Sequence, residues 1–123
     1  VAALDAGKAV FVEKPLALSE EELQAIQDAV DRTGNDRLVV GFNRRFAPLV
    51  ARLRDSLGDR REPMHLACRV YPGPLPLSHW LHDPEQGGGR LLGEACHFID
   101  LMTFLAGSLP MSVHAVGLTD DAR

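Results

Sequence analysis

Arg90, Glu94, His97 and Asp100 follow one another at spacings of four, three and three within an otherwise apolar run. At about 100° per residue, such spacing gathers four ionisable side chains into one stripe of a helix. Ionisable groups on a helix that is otherwise buried cost free energy unless they are paired or used. A histidine in that stripe can exchange a proton near neutral pH, because imidazole titrates there. Composition alone makes a solvated face with i to i+3 pairs an equal reading. The glycines Gly87-Gly88-Gly89 just before the stripe favour chemistry, since they let main chain pass close to a ligand. A second element that could carry chemistry is Glu13-Lys14-Pro15, which closes a short apolar run at the kind of position where ligands gather in open α/β sheets. A lysine there can meet a substrate, although the tripeptide alone reads more simply as an exposed turn.

The surrounding pattern must position these residues. Val1 to Gly7 reads as the last turns of a helix closed by glycine, so the chain is expected to begin mid-fold. Lys8 to Val12 is an apolar run of the kind buried in a parallel sheet. Ser19, with Glu22 three residues on, forms a capping box ahead of Leu23, Ile26 and Val30, which predicts a helix from about Ser19 to Thr33. Gly34-Asn35 ends it, and Arg37 to Phe42 supplies the next buried strand. Asn43 to Pro48 breaks this alternation, and Pro48 can open a helix carrying Leu49, Val50, Leu53 and Leu57. A domain crossover is expected here, dividing residues 1–42 from 43–123. Pro63 to Tyr71 reads as a strand, and Pro72, Pro74 and Pro76 then exclude regular structure up to about Gly89. That irregular segment holds the only tryptophan, Trp80. Arg90 to Ala106 reads as one helix, ended by Gly107 and Pro110, and Met111 to Leu118 reads as a strand. The whole is an α/β pattern.

Composition narrows the partners. The net charge of −4, from 13 basic and 17 acidic residues mixed along the chain, offers no basic stripe for nucleic acid. No run approaches the roughly 20 apolar residues that span a bilayer, and no export signal opens the chain. Cys68 and Cys96 lie in apolar surroundings, which suits free thiols and a cytoplasmic home. His79, His82, Glu94, Cys96 and His97 include metal-ligand types, but adjacent Cys96 and His97 point about 100° apart on a helix. No metal is expected, and His65 and His114 read as ordinary strand residues.

Three motifs now stand in order. Ala6 to Ala17, with its strand followed by Glu13-Lys14-Pro15, resembles the signature of the glucose-fructose oxidoreductase, inositol dehydrogenase and MocA-like oxidoreductase family. Arg45-Phe46 with Pro48 is similar to that family's segment entering the second domain, and Gly87 to Leu101 resembles its glycine-rich run and the helix bearing a catalytic histidine. The resemblance implies the end of a Rossmann-type domain binding NAD or NADP, then the start of an α/β substrate domain with an open sheet that often makes homo-oligomer contacts. It implies a sugar, sugar nucleotide or polyol as substrate, with Lys14 touching the reacting oxygen and His97 exchanging its proton. It also implies cofactor contacts from Glu13, Lys14 and Pro15, a cis Lys14-Pro15 peptide, and substrate contacts from Glu94, Trp80 and Arg45. Many members have an aspartate where this chain has Gly93, and Glu94 stands one place later. The glycine-rich phosphate-binding turn is not among these residues, so a central fragment of a longer enzyme is expected. A non-catalytic member serving as a ligand sensor or assembly scaffold is the alternative, against which the joint presence of Lys14 and His97 speaks.

Overall fold

The computed structural model describes residues 1–59 and 62–117. It opens with helix α1 (Ala2–Asp5), strand β1 (Val10–Val12), helix α2 (Glu20–Thr33) and strand β2 (Leu38–Val40), in the order the sequence implies. β1 and β2 pair in parallel, with Val10 opposite Leu38, Phe11 opposite Val39 and Val12 opposite Val40. Parallel neighbours need a crossover, and α2 provides it. Its start is fixed by Ser19, whose Oγ accepts from the Glu22 amide at 3.2 Å. The Glu22 carboxylate in turn accepts from the Leu18 amide at 2.8 Å, one residue earlier than an ideal capping box reaches. Gly34, left-handed at φ 64°, ends the helix.

Asn35 ties these pieces together. Nearly buried, it donates from Nδ2 to the Leu4 and Lys8 carbonyls at 3.2 and 2.9 Å and accepts on Oδ1 from Arg37 Nε at 3.2 Å. Leu4 and Ala29 are buried beside it, and an Asp5–Arg32 ion pair at 2.7 Å joins α1 to α2 on the outside.

After β2 comes a 3₁₀ turn (Asn43–Phe46), then α3 (Pro48–Leu57), which starts on its proline. Within the irregular segment a second 3₁₀ turn forms at Trp80–His82. The late helix is not uniform: Leu91–Ala95 form a π turn, and α4 (Cys96–Ala106) continues from it to Gly107, left-handed at φ 70°. A π turn inserts a residue, so side chains before and after it do not keep the register that one uniform helix over 90–106 predicts.

Two expected strands are absent from the described residues: 63–71 and 111–117 form no strand, and Leu118 lies outside what is described. A strand exists through its ladder, and neither segment has a neighbour to bond. The only sheet among the described residues is therefore the β1–β2 pair, and no second sheet forms among those described after residue 43. No described helix is long and apolar enough to cross a membrane.

Candidate active site

Lys14 lies two residues past Val12, the last residue of β1, at the C-terminal end of a parallel strand, and its peptide to Pro15 is cis. The ammonium group donates to the Gly93 carbonyl at 2.6 Å, across a separation of 79 residues. Gly93 sits in the middle of the π turn, and His97 comes four residues later on α4. The two elements singled out for chemistry thus meet.

The His97 ring stands edge-on to Phe42, with centroids 6.2 Å apart and planes at 81°. Its Nδ1 is buried and has no hydrogen-bond partner among the described residues. Burial, and after it the positive charges of Lys14 and Arg44, hold the imidazole below its ordinary range, while Asp100 and Glu13 pull weakly the other way. A ring kept neutral with an unclaimed nitrogen can accept a proton at neutral pH.

Asp100, one turn beyond His97, is occupied by Arg45 of the 3₁₀ turn. Arg45 donates from Nε to Asp100 Oδ2 at 2.7 Å and from Nη2 to Oδ1, a two-pronged bond to a nearly buried carboxylate. That bond holds the Arg45 guanidinium firmly charged. The arginines also lie over aromatic faces: Arg44 stands 4.4 Å from the Phe98 ring centre, and Arg45 and Arg54 stand 5.3 and 4.5 Å from that of Phe104. Such contacts pin the segment after β2 onto α4.

The remaining expected site residues are placed as follows. Glu94 lies with its Oε2 3.5 Å from Arg90 Nη1, an ion pair along the helix, while Arg90 also donates to the Gly73 carbonyl at 2.6 Å. The expected stripe is therefore divided, with Arg90 and Glu94 serving each other, Asp100 serving Arg45, and His97 facing Phe42. Trp80 is half-exposed against His79, and no ring contact or hydrogen bond among the described residues joins it to Lys14 or His97. Glu13 leans over Gly41, where a Cβ would come within 3.3 Å of its Oε2. Among the described residues no three metal-ligating side chains cluster, and Cys68 and Cys96 are free thiols.

Sequence reasoning passed over Phe42, Arg44, Leu81 and the Gly93 carbonyl. Leu81 left little signal, being one of three leucines in a proline- and glycine-rich segment. Gly93, inside an apolar helix, left one, since glycine there implies close packing.

Residues 1–42 match the oxidoreductase family with NAD-binding Rossmann fold, and residues 58–123 match the GFO/IDH/MocA C-terminal domain. The chain is 35% identical to inositol 2-dehydrogenase of Rhizobium meliloti, over 89% of this chain and 33% of that protein. It is 32% identical to scyllo-inositol 2-dehydrogenase (NAD(+)) of Bacillus subtilis, over 95% and 34%. Levoglucosan dehydrogenase of Pseudarthrobacter phenanthrenivorans is 34% identical, over 94% and 31%. The chain spans about a third of the length of these curated relatives. No solved structure matches it closely enough to count as a relative. With a parallel strand pair followed by Glu13-Lys14-Pro15, a bond from Lys14 to the π turn that leads into the histidine helix, and more than half its length matched by the C-terminal domain, the chain belongs to the Gfo/Idh/MocA oxidoreductase family.

Proposed function

We propose that the whole protein carrying this chain is an NAD- or NADP-dependent dehydrogenase acting on a hydroxyl or carbonyl carbon of a sugar, sugar nucleotide or polyol. In this reading residues 1–42 complete the cofactor domain and residues 43–123 begin the substrate domain. The observation that carries it is the bond from Lys14 to the Gly93 carbonyl, which fixes the lysine one turn before His97, close enough for its charge to act on the imidazole. The substrate class rests on the names of the relatives, which are dehydrogenases of inositol and levoglucosan.

Glu13, Lys14 and Pro15 would hold a nicotinamide ring, which when bound would supply the hydride acceptor or donor. In the oxidative direction the His97 imidazole takes the substrate hydroxyl proton as the hydride leaves the carbon. An ammonium group has three N–H donors, so Lys14 keeps donors for that oxygen while holding the Gly93 carbonyl. Its charge steadies the oxygen as the proton leaves. Glu94, Trp80 and the Nη1 edge of Arg45, which Asp100 leaves open, are the candidates for recognising the substrate's other hydroxyls.

The test is the whole protein, assayed by reduced-cofactor absorbance against a panel of inositols, anhydrosugars and aldoses with NAD and with NADP. Turnover on a member of the panel that disappears in both Lys14→Met and His97→Ala is expected. Turnover that survives both substitutions overturns the proposal.

A further inference from the structure

The Lys14 ammonium is held by a main-chain carbonyl, which cannot be mutated away and whose direction depends on how the helix is seated. Gly93 is buried, and a Cβ placed there would come within 2.1 Å of Leu81 Cδ1. Leu81 is itself 3% exposed, in the 3₁₀ turn of the irregular segment. It is gripped from the other side, since a Cβ at Gly87 would lie 2.4 Å from the Leu81 Cα. One leucine is therefore clamped between two glycines, and one of these offers its carbonyl to Lys14. The π turn adds to this, because a helix that departs from i to i+4 bonding loosens its hold on local carbonyls and leaves them open to outside donors.

We propose that Leu81 is a positioning residue for Lys14: by filling the space a side chain at residue 93 would need, it seats the π turn so that the Gly93 carbonyl holds the ammonium beside His97. The inference rests on the roles of Lys14 and His97 proposed above, but it can be read without turnover. The groups facing His97 are Lys14 and Glu13 from the end of β1, Arg44 from the turn after β2, and Asp100 on α4 itself. Only Lys14 touches Gly93, so displacing it removes one positive charge from that set and lets the imidazole titrate higher.

The experiment follows the His97 imidazole by NMR titration in the whole protein, together with kcat and KM, in Gly93→Ala, Leu81→Ala, the double variant and Lys14→Met. Gly93→Ala, forced against Leu81, is expected to move the titration upward toward that of Lys14→Met. Turnover should fall roughly 10- to 100-fold, the scale of a small misplacement of a reacting group, with cofactor KM little changed. Leu81→Ala, which opens space instead of creating a clash, shifts the titration in the same direction by less, and it decides the matter if Gly93→Ala does not fold. The double variant, with room for the added methyl, recovers most of both quantities. Single variants that fold and titrate like the native protein, or a folded double variant with no recovery, overturn the proposal. If Lys14→Met and His97→Ala both retain turnover, the dehydrogenase reading fails, while the titrations still decide whether Leu81 positions Lys14.

Discussion

The role proposed for His97 needs a neutral imidazole before the reaction starts, and burial and the charges of Lys14 and Arg44 favour that form. In the oxidative direction the neutral ring is the active one, so activity falls as pH drops through the depressed imidazole pKa, below the ordinary value of about 6.5. Lys14→Met removes a depressing charge, and the acid limb of kcat/KM is expected to move to higher pH as well as to lower amplitude; a pH–rate profile checks this. His97→Ala or Gln should reduce turnover by roughly 10² to 10⁴-fold with cofactor affinity nearly unchanged, measured by steady-state kinetics and cofactor titration. Lys14 and His97 were legible in the sequence because their types and surroundings are unusual. The carbonyl that joins them was not, since a main-chain acceptor leaves no residue type to notice.

At the level of elements, α4 is fastened to the turn after β2 by the Arg45–Asp100 pair more than by apolar packing, for the helix has no fully buried residue of its own. Arg45→Ala strands a nearly buried carboxylate and should cost about 3 kcal/mol, the low end for breaking a buried pair, because Arg45 itself is a third exposed. Chemical denaturation of the whole protein measures it. Ser19→Ala, which removes only the cap of α2, should cost about 1 kcal/mol in the same assay. The early elements were legible because caps, glycine stops and apolar runs are local signals, as Ser19, Gly34 and Val10 to Val12 show. The segments at 63–71 and 111–117 carry strand-like residues yet form none, because pairing depends on neighbours that no local pattern supplies. The π turn was equally hidden, as Leu91 to Ala95 would suit an ordinary helix.

Across the whole molecule the buried core is small: Leu4, Ala29 and Leu81 are its fully buried apolar residues among those described. Phe11 and Val39, paired across the sheet, are 70% and 55% exposed, and Ile99, Met111, Val113 and Val116 are exposed beside and beyond α4. Apolar faces of this kind call for a cover. The 123-residue chain on its own is therefore expected to self-associate, with light scattering giving a mass above 13.4 kDa that rises with concentration. The 79-residue span from Lys14 to Gly93 has a consequence in time. Contacts that close long loops are disfavoured until shorter-range structure exists, and β1 and β2 pair over a much shorter stretch. The strand pair can thus be complete before Lys14 reaches the Gly93 carbonyl. Substitutions at Gly93 or Leu81 are expected to speed unfolding and leave refolding rates nearly unchanged, which stopped-flow kinetics on the whole protein can show. A newly made chain would then acquire its shape before it acquires its chemistry.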